Sequence, residues 1–355
     1  MTVSEELIVE NRRGVGHLLL NRPKALNAVT RDQVRALHAR LDAWAADESV
    51  QAVLIEGEGE KAFSAGGDIR AIYDARQNGD REFLYGFYYD EYRCNRAIFR
   101  FPKPYIALMD GVVMGGGVGI SIHGSHRIST ERMVFAMPET GVGLFPDVGG
   151  SHFLPRCPGE VGTYLGLTGV RIRPGDALYA GLTTHHVTTD RLPDLRQALT
   201  EADYSTDALA AATWILDNFH VDAGASHLAE HREAIDRCFC FNTVEEILDA
   251  LHAEDSEFAR KTLDVLAGKS PTSLKVTLRQ LRAGKAVDFE TSMQMEYRLA
   301  TRFMEGHDFF EGVRALIVDK DQNPQWRPDT LAAVEPTEVD AYFKPLEEIA
   351  ELTFD

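Results

Sequence analysis

In ELIVENRRGVGHLLL, short apolar runs flank a glycine-containing turn, which predicts two paired strands with Gly14 and Gly16 near the turn. The period then changes. In TRDQVRALHARLDAWAADES, Val34, Leu37, Leu41 and Trp44 recur at spacings of three and four, and Thr30 with Gln33 makes a capping box, so a helix starts after Thr30. QAVLIEG and PYIALMDGVV are continuous apolar runs, short enough for buried strands. Between them lie the loop KAFSAGGDIR and a long helical stretch reaching about Arg100, and HRISTERMVFAMPE reads as strand again. Over roughly the first 190 residues strand, glycine-rich loop and helix alternate, which is an α/β pattern whose loops follow strands.

After Leu192 the strand signals fade. TDALAAATWILDNF, TVEEILDALHA and EFARKTLDVLAG carry helical periodicity, and Ser270-Pro271 starts another helix with Ser as N-cap and Pro in the first turn. The expected organisation is an α/β core over residues 1–200 and a mostly helical region over 201–355.

Composition narrows the function. The chain of 355 residues is 44% hydrophobic and 26% charged, the balance of a soluble globular protein. Asp and Glu outnumber Lys and Arg by 55 to 37, a formal net charge of −18, and no basic cluster reverses it locally. Such a chain repels nucleic acid and anionic membrane, so neither is an expected partner. An anionic ligand would need a small positive site of its own. The N-terminus has no basic start and apolar core of a signal peptide, and no apolar run reaches membrane-spanning length. Four irregularly placed cysteines suit a reducing cytoplasm, the expected compartment; Cys238 and Cys240 form only a C-x-C, a weak basis for zinc, so no metal is expected.

Two glycine-rich loops, Ser64-Ala-Gly-Gly-Asp68 and Met114-Gly-Gly-Gly-Val-Gly119, each follow a strand and lead into a helix. Their free N–H groups could bind an anion, but neither loop carries a phosphate-loop lysine or a dinucleotide glycine spacing. Two N–H donors from two such turns suit an oxyanion hole, the plainer alternative being a pair of tight turns. FAMPETGVGLFPDVGG places Glu139 and Asp147 among glycines, prolines and apolar residues with no base in the stretch, where ionisation is costly. Ser121 lacks the final glycine of a nucleophile elbow, and His185 and His186 are adjacent, as at a strand edge rather than in a metal motif. Glu139 and Asp147 are therefore the leading catalytic pair; the plainer alternative is that they cap the helix after Gly150 or a turn, a role that suits Asp147 better than Glu139.

KAFSAGGDIR (61–70), MGGGVG (114–119) and MPETGVGLFPDVGG (137–150) together resemble the crotonase, or enoyl-CoA hydratase/isomerase, superfamily. DFFEGVRALIVDKDQNPQW (308–326) is similar to the branch that hydrolyses 3-hydroxyisobutyryl-CoA, so the likeness covers most of the chain. The resemblance implies a ββα-spiral core, an acyl-CoA thioester substrate and hydrolysis of it, with valine catabolism as the pathway. Coenzyme A would be part of the substrate, and no separate cofactor is implied. Gly67 and Gly116 would hold the thioester oxygen through backbone N–H groups. Ala65 would lie by the adenine end, with Gly66 and Asp68 beside the substrate, and Lys24 would meet a phosphate. Glu139 would attack the acyl carbon or activate water, Asp147 would orient the water or the leaving group's proton, and Glu91 would accept a hydrogen bond from the acyl hydroxyl. The plainer alternative for Glu91 is a solvated helix residue.

One position departs from the family pattern. Hydratases of the superfamily use two glutamates, and Gly119 stands where the first would be. Hydration or isomerisation with a rearranged acid/base set is the rival reading, and a non-catalytic binding protein on the same fold is a second. A homo-oligomer is compatible with the sequence, since the helical region could trimerise or fold back on its own core.

Overall fold

The computed structural model describes residues 5–354. Strands β1 (Leu7–Arg12) and β2 (Val15–Leu20) pair antiparallel with Leu7 opposite Leu20. Arg13 and Gly14, both at positive φ (52° and 88°), form the turn, a backbone sense that matches the twist of hairpin strands. Helix α1 (Arg31–Ala46) begins with the reciprocal capping box of Thr30 and Gln33. β3 (Ala52–Gly57) returns parallel to β2, with Val15 opposite Ala52.

From β3 onward the chain repeats a two-strand step. β3, β5 (Tyr105–Met109) and β7 (His126–Ser129) enter one sheet, while β4 (Ala62–Ser64), β6 (Val112–Met114) and β8 (Val134–Ala136) enter a second. β9 (His185–His186) closes the edge of the first, giving orders β1-β2-β3-β5-β7-β9 and β4-β6-β8. Helices follow the pairs: α2 (Ile69–Gln77) and α3 (Arg81–Phe99) after β4, and the short α4 (Gly116–Gly119) after β6. The result is a ββα spiral. The stretch expected as one helix up to Arg100 is two, parted around Gly79 at φ 69°.

Contacts divide the chain into two compact units. One comprises the chain up to Gly67, Arg93–Phe135 and Arg171–His227. In its core Leu54, Ile106, Leu108 and Ile128 of the large sheet pack with Leu195, Leu199 and Leu216 of the helices Leu192–Glu201 and Ala208–Phe219. β3 is buried almost throughout, which accounts for its unbroken apolar run. The other unit comprises Asp68–Tyr92, Ala136–Val170 and the chain from Leu228 onward. Beyond Glu201 the described residues form helices and no strand. Two segments from the α/β half thus cluster with C-terminal helices. Among the described residues no helix is long and apolar enough to cross a membrane.

Candidate active site

Glu139 opens a one-turn 3-10 helix, Glu139–Val142, that ends at Gly143 with φ 74°. The C-terminal motif fixes this turn. A side chain at Gly143 would come within 2.3 Å of the Asp308 carbonyl oxygen, and one at Gly312 within 2.3 Å of the Val142 oxygen. The helix Asp308–Val313 therefore lies against the Glu139 turn at backbone distance, which only glycine permits at both contacts.

Helix α3 supplies the facing side chains. Leu84, Phe87, Tyr88, Glu91 and Tyr92 share one stripe at helical spacing and are all buried. Glu91 is 2% exposed, so it is not a solvated helix residue. Tyr92 donates its hydroxyl to Asp147 Oδ2 at 3.0 Å. Among the described residues, Glu91 Oε1 and Glu139 Oε2 have no hydrogen-bond partner. Buried polar atoms are normally paired, and such exceptions mark places where a ligand can bond. Asp147 does not cap the helix α5 (Gly150–Phe153). That role belongs to Glu296, on the helix Phe289–Phe303, which accepts the N–H groups of Gly149 and Ser151 at 2.8 Å each.

Glu91, Glu139, Asp147 and Glu296 thus form a buried acidic cluster. Burial first, and the charge of Asp147 second, push Glu139 and Glu91 well above the ordinary carboxylate range, while the Lys269 ammonium pulls Glu139 the other way. Burial raises Asp147 to about 7 against the Tyr92 hydrogen bond, and raises Glu296 to about 8 against its amide bonds. Like charges this close cannot all ionise, so near neutrality the cluster holds both acid and base forms.

The raised Asp147 carries a stability cost with a definite sign. Between pH 3.8 and about 7 the native Asp147 keeps a proton that the unfolded chain has lost, so stability falls as pH rises through that window. Asp147→Asn has no proton to lose, and Tyr92 can still donate to its amide oxygen. The variant is expected to match wild type near pH 4 and to exceed it at pH 8, by at most about 4 kcal/mol. Urea unfolding at the two pH values checks this; equal stability of the two proteins at pH 8 would refute it.

The glycine loops belong to the other unit. β4 and β6 run parallel, and a side chain at Gly66 (φ 118°) would lie 3.5 Å from the Gly116 nitrogen. Gly115, at φ 48°, turns the chain into α4, leaving Gly116 as its first residue. Gly67 bridges to Val29. Among the described residues no acceptor takes the N–H of Gly67 or of Gly116. Two adjacent loops with uncommitted donors fit an oxyanion site better than a pair of plain turns.

The remaining candidates sort by their bonds. Lys24 is exposed on a short 3-10 turn, Pro23–Ala25, and meets no carboxylate among the described residues. The Ala65 N–H is committed to Leu26 O at 2.9 Å. The Asp68 carboxylate caps α2 by accepting the Ala71 N–H at 3.2 Å. Ser121 Oγ, in the turn after α4, donates to the Gly117 and Val118 carbonyl oxygens, and His185 and His186 form the edge strand β9. None of the four cysteines is in a disulfide, and no group of three or more His, Cys, Asp or Glu among the described residues could hold a metal ion. Sequence reading missed Tyr88, Tyr92, Lys269 and Glu296. Glu296 had a signal: it interrupts the apolar stripe Phe289, Met293, Ala300, Phe303 at helical spacing.

A ββα spiral bearing paired glycine loops and buried carboxylates defines a class of acyl-CoA enzyme folds, and residues 15–343 match the family described as enoyl-CoA hydratase/isomerase. The chain belongs to that family. It is 45% identical over 348 residues to the mitochondrial 3-hydroxyisobutyryl-CoA hydrolase of Danio rerio, covering 97% of this chain and 90% of that one. To the human protein of the same name it is 43% identical over 97% of this chain and 89% of that one. Its fold matches a crystal structure of a carnitinyl-CoA dehydratase from Mycobacterium thermoresistibile, with TM-score 0.92, 40% identity and 99% of both chains covered. An enoyl-CoA hydratase from Rhodobacter sphaeroides gives TM-score 0.90 at 39% identity, over 98% of this chain and 100% of that one.

Proposed function

We propose that the chain is an acyl-CoA thioester hydrolase acting on 3-hydroxyisobutyryl-CoA, as in valine catabolism. The observation that carries this reading is the pairing of Glu139 and Asp147 in one buried acidic cluster while Gly119 offers no side chain. The names of the curated relatives support the same reading. In this reading the Gly67 and Gly116 N–H groups take the charge that develops on the thioester oxygen. Glu139 attacks the acyl carbon or removes a proton from the attacking water, and its raised proton affinity makes it the stronger base. The C–S bond breaks, a water oxygen ends on the acyl carbon, and the thiolate leaves with a proton that Asp147 can relay. Coenzyme A enters as part of the substrate, with Lys24 meeting a phosphate and Ala65, Gly66 and Asp68 near the thioester or adenine end; no separate cofactor takes part. Since the Ala65 N–H is already bonded, contact with adenine falls to its carbonyl.

A second reading, water added to or removed from a double bond, is favoured by what the two solved structures are described to be. It lacks half its acid/base pair here, because Gly119 stands where the first glutamate would be. For the compartment, cysteines outside any disulfide suit the reducing cytoplasm. The relatives are mitochondrial by name, and cell fractionation decides between the two.

Thiol release across a panel of acyl-CoA esters tests the function. Expected are fast CoA release from 3-hydroxyisobutyryl-CoA and slow or no hydration of crotonyl-CoA. Rapid loss of crotonyl-CoA absorbance without thiol hands the case to the second reading. The same panel tests Glu91. A deoxy substrate leaves this buried carboxyl unpaired, so kcat/KM should favour 3-hydroxyisobutyryl-CoA over isobutyryl-CoA by about 10²-fold. Glu91→Ala should erase most of that preference by slowing the hydroxylated substrate. A preference untouched by the mutation removes Glu91 from the substrate contacts.

A further inference from the structure

The segment Pro146–Ser151 carries Asp147 through an unfavourable backbone turn. Val148 has φ 48°, a left-handed conformation that a β-branched residue adopts only when its surroundings impose it. Three side chains from other helices bracket this turn. Glu296, 0% exposed, takes the Gly149 N–H at Oε2 and the Ser151 N–H at Oε1. Gln280, also 0% exposed, donates Nε2 to the Pro146 carbonyl at 2.6 Å and to Ser151 Oγ at 2.8 Å. Tyr92 holds the carboxylate itself.

We propose that Glu296 is the positioning residue of Asp147: by holding both amides it fixes the strained Val148 turn and so aims the Asp147 carboxylate. Gln280 completes the clamp from the Pro146 side. The inference rests on Asp147 taking part in hydrolysis, and it assigns that reaction a residue with no contact to the substrate. An apolar side chain at position 296 could hold neither amide. A glutamine holds one and turns an N–H against the other, which frees the turn on one side. Facing Asp147 are Tyr88, Glu91 and Tyr92 from α3, Glu139 from its own turn and Glu296, with Lys269 acting on Glu139. Glu296, raised to about 8, still holds its proton while Asp147 titrates near 7, so replacing it removes no charge there; loosening the turn lets water reach Asp147, favours the ionised form and moves its titration to lower pH.

Glu296→Gln tests the proposal, with three readouts. Steady-state hydrolysis of 3-hydroxyisobutyryl-CoA should show kcat lowered by about 10²-fold, the cost of misplacing a reacting group by about an ångström, with KM changed by less than about twofold. Carbon-13 NMR should place the Asp147 titration lower by at least about half a pH unit. In the wild type itself, the Gly149 and Ser151 amides should exchange hydrogen slowly. Should Glu296→Gln fail to fold, Glu296→Asp is read in the same way, since it keeps the carboxyl but is one methylene too short for both amides. A folded variant with wild-type kcat overturns the proposal. So does lost stability with the Asp147 titration unmoved, which would make Glu296 only a helix cap, and so does open-loop exchange of the two amides. A wild type that releases no thiol sinks the hydrolase reading instead, while the titration and exchange readouts still judge the clamp.

Discussion

Glu139→Gln is expected to lower kcat for thioester hydrolysis by at least ~10²-fold, within the usual worth of a positioned base, while KM for the acyl-CoA stays near wild type. Glutamine has the shape of glutamate and the same reach from the 3-10 turn, so the supports at Gly143 and Gly312 are untouched. What disappears is the lone pair that serves as base or nucleophile. In the native protein Glu139 Oε2 has no partner among the described residues, and burial raises the proton affinity of the carboxyl well above its ordinary value. A group held this way is poorly stabilised for any purpose but reaction. The variant should also be no less stable than wild type, because an amide has no charge to bury. Near-native turnover in a folded Glu139→Gln protein would remove Glu139 from the chemistry and leave Asp147 as the sole candidate.

Gly116→Pro should cost as much. It deletes one N–H donor, and such a donor is worth about 2.7–4 kcal/mol in the transition state, or about 10²–10³ in kcat. Proline is tolerated at the first residue of a helix, where no intrahelical acceptor is lost, and Gly116 is the first residue of α4. The N–H it removes is bonded to no acceptor among the described residues, so the ground state loses no hydrogen bond. The loss should therefore fall on kcat, with circular dichroism confirming the fold. A folded Gly116→Pro variant with full activity would reduce this loop to a tight turn. Together the two variants separate the electrostatic half of the reading from its acid/base half.

Much of the candidate site was legible because its parts are local. The glycine loops, the lone carboxylates of FAMPETGVGLFPDVGG and the missing glutamate at Gly119 are all features of short stretches. The sequence points to Glu91 but leaves its burial open. The stripe Leu84, Phe87, Tyr88, Tyr92 does place it on the inner face of α3, and the same periodicity would have yielded Tyr92. The capping alternative for Asp147 failed for a different reason. Sequence spacing makes Asp147 a natural cap for α5, yet Glu296, 147 residues beyond Gly149, takes that helix start. No local rule can rank two carboxylates for one set of amides when they come from distant segments.

By itself the sequence determined the alternation of strand, loop and helix and the capping of α1 and of the helix Pro271–Gly284, and it nominated the two carboxylates Glu139 and Asp147. These follow from hydrophobic period, backbone preference and side-chain reach, which act over a few residues. Only the tertiary structure decided which segments share a unit, that DFFEGV braces the Glu139 turn, and that Asp147 is held by Tyr92 on one side and by a turn clamped through Glu296 and Gln280 on the other. Burial, and with it the proton affinity of a carboxylate, depends on what packs against it from elsewhere in the chain, and that exists only once the chain has folded.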